Sequence, residues 1–158
     1  MVNLYEDHNI KVESLTERGK KVRRYLEYCL YIFAILVLFK IFYLFIYTHF
    51  VSDALIFLFL LLSVLYLNYT YTTILIFLGF INTFYCFEVG AMLLQNHLFE
   101  LDKYFDAFEG YYTLFSCYNL IMLLFFIFLT GCAHEAYKEF KAIYEESHLE
   151  ETSQYNLL

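Results

Sequence analysis

The sequence predicts an all-α membrane protein, an up-down bundle of four transmembrane helices with both termini on the cytoplasmic side. Of its 158 residues 61% are hydrophobic, which is more than a soluble domain of this size buries. These residues form long runs with almost no charge, and about 20 such residues cross a bilayer as a helix. Proline is absent, so we expect straight helices. The alternation of a membrane β-barrel is missing.

Four apolar runs make up the predicted membrane domain, residues 25–132. Each run should be helical, because a segment in lipid must satisfy its backbone hydrogen bonds internally. The second run is short, which suits a thin bilayer of the early secretory pathway. The four runs lie at 25–47, 52–68, 73–94 and 111–132.

The polar head, residues 1–24, sets the predicted orientation. It ends in KKVRR directly before the first helix, and Lys138 and Lys141 follow the fourth helix. Lys and Arg concentrate at the cytoplasmic ends of membrane helices. The two short connections contain neither residue, and the connection 95–110 has one Lys against four acidic residues. The first apolar run is too long for a cleavable signal peptide.

Two charged residues lie inside predicted helices, Lys40 in the first and Glu88 in the third. An isolated charge there costs a few kcal/mol. Both are about 15 residues from the cytoplasmic end of their helix, so we expect them at similar depth and able to pair. Alternatively, Lys40 extends to the headgroups and Glu88 is protonated. Lys40 and Glu88, together with Asn82 and Asn119, form a predicted intramembrane polar network. We expect this network to have a structural role rather than a role in transport.

The third helix also carries a stripe of small residues, which pack helices closely in membranes. Their spacings of 4, 3 and 4 place them on one face. Glu88 lies almost opposite this stripe. We therefore expect the third helix to be the most buried, or to contact other membrane proteins or a second copy of the chain. The stripe consists of Gly79, Thr83, Cys86 and Gly90.

Cys29 and Cys132 lie near the predicted cytoplasmic ends of the first and fourth helices. Such cysteines are candidate S-palmitoylation sites, and the alternative is that each is a buried free thiol. Zinc-type CxxC pairs, HExxH, P-loop and GxSxG motifs are all missing from the sequence. We expect no catalytic residues, cofactor, metal or nucleic-acid partner, so the protein is predicted not to be an enzyme.

The acidic tail, residues 133–158, begins with a predicted short amphipathic helix after the fourth transmembrane helix. Tyr137, Phe140 and Tyr144 recur at spacings of 3 and 4, which is typical of a helix lying on a membrane surface. The rest of the tail is net negative, so it is free to meet cytosolic proteins.

The last four residues of the sequence, YNLL, are a candidate sorting signal. Tyr155 and Leu158 fit a Tyr-x-x-apolar pattern that resembles the signals read by clathrin adaptors. A peptide of this kind binds in an extended form, with its two apolar side chains in separate pockets. The alternative is coincidence, because tyrosine is frequent in this chain.

The segment AYKEFK, residues 136–141, resembles the start of the tail in COPI-associated Golgi tetraspan proteins. The layout of four helices with two cytosolic ends is similar to that of MARVEL-type vesicle proteins. The resemblance implies a non-enzymatic scaffold or component of vesicle trafficking in Golgi or endosomal membranes. It implies membrane lipid and cytosolic coat or adaptor proteins as partners, and it transfers no site residues.

Two other functions remain open from the sequence. One is an accessory subunit of a larger membrane complex, for example a respiratory one in the mitochondrial inner membrane. The other is a small channel or transporter that uses Lys40 and Glu88. The first predicts contacts in the lipid plane, and the second predicts a hydrated cavity that joins the polar residues.

Overall fold

Four α-helices make up the described structure, as the sequence predicts. The computed structural model describes residues 16–43, 50–98 and 109–155. The helices are α1, Glu17–Tyr43; α2, Phe50–Tyr66; α3, Tyr69–Leu98; and α4, Glu109–Tyr155.

The helices pack as a ring in which each contacts the next and α4 returns to α1. The side chains that meet along α1 and α4 show that these two helices are antiparallel. At one end Arg18 Nε lies 3.1 Å from Glu139 Oε1. At the other end Phe39 stacks on Tyr118 with ring centroids 5.9 Å apart.

Aromatic side chains fill the core between α1 and α4. Phe33 stacks on Phe125 with ring centroids 5.6 Å apart and contacts Phe126 at 6.1 Å. Leu26 and Leu129 are fully buried nearby. A buried aromatic ring removes a large apolar area from contact with the surroundings and packs densely, so these rings fix the spacing of the two helices.

The turn between α2 and α3 is built from two buried residues. Leu67 has a positive φ of 51° and is fully buried. This conformation ends a helix and is unfavourable for a residue with a side chain, so packing of the leucine must hold it. Asn68 then caps α3, because its Oδ1 accepts a hydrogen bond of 2.8 Å from the backbone N–H of Thr70.

Helix α1 begins at Glu17, not at residue 25, so KKVRR lies within the helix. Thr16 caps it, since its hydroxyl oxygen accepts a hydrogen bond of 2.9 Å from the backbone N–H of Gly19. The predicted end at residue 47 lies outside the described residues. Helix α2 is shifted by two residues towards the N-terminus relative to its predicted range 52–68. Helix α3 begins before and ends after its predicted range 73–94.

Helix α4 corrects the prediction of a separate amphipathic helix. It runs without interruption for 47 residues, or about 70 Å at 1.5 Å per residue. Ala133, Ala136 and Phe140 are fully buried. This face therefore packs on protein and not on a membrane surface. Helix α1 crosses the predicted domain boundary after residue 24, and helix α4 crosses the predicted boundary after residue 132.

Three of the helices are long and apolar enough to cross a membrane. They contain the ranges Glu17–Phe42, Tyr69–Gln95 and Thr113–Glu146. Helix α2 is apolar but has 17 residues, which corresponds to about 25 Å. That length is slightly less than the roughly 30 Å hydrocarbon thickness of an average bilayer.

Candidate functional site: a buried polar cluster

A buried ion pair joins α1 to α2. Lys40 Nζ lies 2.6 Å from Asp53 Oδ2, and the two side chains are 10% and 7% exposed. Asp53 occupies the first turn of α2, where the helix dipole favours a negative charge. Lys40 lies in the last turn of α1, so the hairpin of α1 and α2 brings opposite charges together.

The ion pair borders a cavity of about 70 Å³ that all four helices line. Asn82 of α3 and Asn119 of α4 contribute amide groups to its wall. A water molecule needs roughly 10–15 Å³ of such volume and two to four polar partners. The cavity therefore has the size and the polar lining to hold a few water molecules beside the ion pair.

Hydrogen bonds to two neighbouring helices hold the two asparagines in this wall. The Ser52 hydroxyl donates to Asn82 Oδ1 at 3.3 Å, which links α2 to α3. Asn119 Nδ2 donates to the backbone carbonyl oxygen of Cys86 at 2.9 Å, which links α4 to α3. With the ion pair, these bonds connect the helices in chain order. We call Lys40, Ser52, Asp53, Asn82 and Asn119 the polar cluster.

A tyrosine hydroxyl closes the ring of polar links. Tyr118 of α4 donates a hydrogen bond of 3.2 Å to the backbone carbonyl oxygen of Leu36 in α1. Tyr118 is buried and lines the cavity. Polar contacts of this kind fix the axial position of helices, which apolar packing specifies less strictly.

Glu88 does not pair with Lys40, in contrast to the sequence-based expectation. Its level in the bundle is the expected one, because Cys86 and Val89 on the same turn of α3 line the cavity. The Glu88 side chain points away from the cavity, because two positions after Cys86 correspond to a rotation of about 200° around the helix. Glu88 is exposed on the outer surface of α3.

Ser52 and Asp53 begin the second predicted run, 52–68, and the predicted polar network does not include them. An acidic residue in the first turn of a helix, 13 residues after a buried lysine, is suited to pair across a hairpin. Asp53 replaces Glu88 in the network.

The small-residue stripe of α3 packs against α4 within the chain. A Cβ atom at Gly79 would lie 2.5 Å from Thr130 Oγ1, and one at Gly90 would lie 3.3 Å from Asn119 Nδ2. Cys86 is buried on the same face, and the Thr83 hydroxyl donates to the carbonyl oxygen of Gly79 at 2.8 Å. Because α4 covers the stripe, a partner of α3 would meet the opposite face, which carries Glu88.

The two candidate lipidation sites face each other between α1 and α4. Cys29 is fully buried and Cys132 is partly buried, and the two thiols are close enough to interact. This arrangement corresponds to the alternative of buried free thiols. Acylation of Cys29 would require α1 and α4 to separate.

A second group of charges ties the start of α1 to α4. The Arg18 guanidinium pairs with both Glu135 and Glu139, and the Thr16 hydroxyl donates to Glu139 Oε2 at 3.1 Å. We call these four residues the α1–α4 clasp. The residues of the clasp are visible in the sequence as a basic head and two acidic residues four positions apart. The sequence does not indicate that α4 continues far enough to meet α1.

The candidate sorting signal lies at the edge of the described structure. Tyr155 is the last residue of α4, and Leu158 lies outside the described residues. A helical Tyr155 would have to leave the helix before the peptide could bind in an extended form. The sorting signal stays a prediction.

No protein-family model, curated protein or solved structure matches this chain. Within residues 16–43, 50–98 and 109–155, no three His, Cys, Asp or Glu side chains come together as metal ligands would. The distribution of polar and apolar side chains over the helices is therefore the basis for proposing a function.

Proposed function

We propose that this chain is a multi-pass integral membrane protein in which four helices cross the bilayer. The observation that carries the proposal is an inverted polarity. Lys40, Asp53, Asn82 and Asn119 are buried. Large apolar side chains face outward, and Tyr31, Phe77 and Phe87 are 65–67% exposed. Lipid surroundings stabilise an apolar exterior and favour polar contacts between helices, whereas water would favour the reverse.

The proposed orientation places the α1–α4 clasp in the cytoplasm. Its support is the basic run KKVRR, because such residues gather at cytoplasmic membrane ends. Arg18 and Glu139 are paired, so the start of α1 and the last third of α4 share one side. Helix α2 returns the chain across the membrane, and a slightly thinned bilayer accommodates its length of about 25 Å.

The function that this geometry supports best is that of a non-enzymatic scaffold. The polar cluster fixes the helices relative to one another, and α4 carries a rigid helical extension out of the membrane. Ala136 and Phe140 of that extension are buried against the bundle, whereas Lys138 and Lys141 are exposed. The exposed side offers a surface to cytosolic proteins.

The proposed location is the Golgi or endosomal membrane, and the proposed partners are coat or adaptor proteins. The support is the resemblance of residues 136–141 to the tail of COPI-associated Golgi tetraspan proteins, together with the predicted sorting signal at Tyr155 and Leu158. The test is imaging of the tagged protein beside a variant truncated after residue 146, which keeps the clasp. We expect Golgi or endosomal signal for the full chain and redistribution of the truncated variant. A mitochondrial signal would contradict the location.

A second function, small channel or transporter, is favoured by the cavity beside Lys40. In this hypothesis Asp53 takes the place of Glu88, because Glu88 is outside the cavity. Flux of ions or water into vesicles that contain the purified protein tests it. The hypothesis requires Asp53→Asn to abolish flux while Glu88→Gln, the matched carboxyl-to-amide control, leaves it unchanged. The scaffold hypothesis expects no flux above that of empty vesicles.

A third function, accessory subunit of a membrane complex, is favoured by the position of Glu88. A carboxyl group on the lipid-facing side of α3 is costly unless it is protonated or meets a partner. A partner helix would cover it. Crosslinking from α3 in native membranes tests this hypothesis, and loss of the protein when its crosslinked partner is depleted would support it.

A further inference from the structure

The groove between α1 and α4 lies on the outside of the bundle, near the proposed cytoplasmic end. Its volume is about 980 Å³, at the upper end of the roughly 300–1,000 Å³ of ligand clefts. Residues from the first three turns of α1 form one wall of the groove, and residues from the middle of α4 form the other wall. The groove is separate from the polar cluster and from the scaffold surface of α4.

The two ends of the groove differ in chemistry. Lys21 supplies positive charge at the end near the clasp, where Arg18 is already paired with Glu135 and Glu139. Ile127 and Phe128 form the other end, and each is 53% exposed. Charged residues therefore lie where headgroups would be, and apolar residues lie where acyl chains would be. A phospholipid has the same arrangement, with a charged headgroup at one end and apolar acyl chains at the other.

Lys21 is the available cation of the groove. Its Nζ lies 5.9 Å from the centre of the Tyr25 ring, which also lines the groove. In the described part of the chain no carboxylate is within ion-pairing distance of Lys21, whereas Lys20 Nζ lies 2.9 Å from Glu17 Oε1. The acid that borders the groove, Glu135, is already paired with Arg18 and Lys138.

Gly131 leaves an opening in the α4 wall between the two ends. A Cβ atom at this position would have no neighbouring atom within 4 Å. In contrast, a Cβ atom at Gly79 would contact Thr130 closely. The absence of a side chain at Gly131 therefore serves no helix contact in the described structure, and it widens the groove where an acyl chain would enter.

We propose that the α1–α4 groove binds an anionic phospholipid of the cytoplasmic leaflet. Lys21 contacts the phosphate, and the acyl chain lies along Gly131 and Phe128. Basic pockets between membrane helices bind anionic headgroups in this way. The proposal rests on the proposed integral membrane location, which is tested separately by extraction of cell membranes with alkaline carbonate.

The test measures lipid adducts on the detergent-purified full chain by native mass spectrometry. The probes are phosphatidylglycerol and phosphatidylcholine with identical acyl chains. We expect the wild-type protein to bind phosphatidylglycerol preferentially. Lys21→Gln should reduce that binding about fivefold, the usual effect of one basic side chain at an anionic surface. The matched control Lys20→Gln should change it by less than about twofold, because Lys20 is paired outside the groove.

A second variant tests the apolar half of the site. Gly131→Leu fills the opening and should reduce binding of both lipids, while circular dichroism shows an unchanged helix content. Equal binding of the two lipids, equal effects of Lys20→Gln and Lys21→Gln, or unchanged binding in Gly131→Leu would overturn the proposal. Displacement of the lipid by millimolar inorganic phosphate would overturn it as well, since it would show a site for free anions.

If carbonate extracts the chain, the integral membrane proposal fails whatever the lipid result. If the chain stays in the membrane but shows no preference for phosphatidylglycerol, only the groove proposal fails.

Discussion

At the residue scale, the Lys40–Asp53 pair is the most buried ion pair among the described residues. Both side chains are almost completely buried. Removing one partner of a buried ion pair leaves the other charge uncompensated, which costs about 3–5 kcal/mol. Replacing both partners with apolar residues avoids that penalty and is often close to neutral.

We therefore predict that Lys40→Met destabilises the bundle by about 3–5 kcal/mol, since Asp53 remains buried and unpaired. The double variant Lys40→Met, Asp53→Leu should recover most of that loss. Chemical unfolding in detergent micelles, followed by circular dichroism, measures both. A double variant as unstable as the single one would show that the pair adds stability beyond the removal of buried charge.

Glu88→Gln provides the matched control at the same level of the bundle. Glu88 is exposed on α3 and does not border the cavity, so its substitution should change the free energy of unfolding by less than about 0.5 kcal/mol. The same unfolding measurement applies. A loss comparable to that of Lys40→Met would place Glu88 in the network after all.

The sequence identified the polar residues but not all of their partners. Charged and amide residues are conspicuous in apolar runs, so the sequence alone indicates Lys40, Asn82 and Asn119. The partner depends on which way each side chain points, and this depends on how α1, α2 and α3 are rotated. Cys86 and Glu88 are two residues apart on α3, and this is enough to place the side chain of one inside the bundle and that of the other outside it.

At the element scale, α3 and α4 approach closely at Gly79. Its missing side chain makes room for Thr130, whose hydroxyl donates a hydrogen bond of 2.7 Å to the carbonyl oxygen of Phe126. An added methyl group would displace Thr130 or separate the helices. Close packing of this kind is a main source of helix association in membranes.

Gly79→Ala should therefore lower the stability by about 1–3 kcal/mol, the usual cost of overpacking. Gly131→Ala is the matched control, since its Cβ meets no atom within 4 Å, and should be neutral or slightly stabilising because alanine favours helices. Unfolding curves of the two variants under identical conditions make the comparison. Equal effects would contradict the close approach of α3 and α4.

The cap of α3 offers a second prediction for an element. Asn68 accepts a hydrogen bond from the Thr70 N–H and is buried. Asn68→Ala should cost about 1 kcal/mol, as the loss of an N-cap usually does, whereas Asn68→Asp should keep most of the stability. Hydrogen exchange of the first amides of α3 locates the effect. Unchanged exchange in Asn68→Ala would argue against the cap.

The clasp shows why the length of α4 was underestimated. Composition changes sharply after Cys132, and this change from apolar to charged residues predicts the end of a transmembrane helix. Nothing in that change breaks a helix, because the segment lacks proline and its apolar residues keep helical spacing. Packing of Ala133, Ala136 and Phe140 against the bundle extends the helix.

At the scale of the whole molecule, the sequence predicted the number of helices, and three of them are long and apolar enough to cross a membrane. Long apolar runs are a direct consequence of the bilayer thickness, so they are readable without knowledge of packing. The helix ends and the contacts were less accessible, because they depend on neighbours distant in the sequence. Arg18 and Glu135, for example, are 117 positions apart.

We propose that α2 crosses the membrane with the three longer helices, so that the chain makes four passes. Helix α2 is the weakest span, with 17 residues. If it crosses, the start of α1 and the last part of α4 lie on the same side. If α2 does not cross, three passes place them on opposite sides.

The most direct measurement is a topology assay with epitope tags at both termini and an inserted glycosylation site within residues 99–108. In sealed microsomes we predict that added protease removes both tags and that the inserted site is glycosylated. One tag protected and the other removed would contradict the four-pass bundle, and with it the cytoplasmic position of the clasp and of the α1–α4 groove.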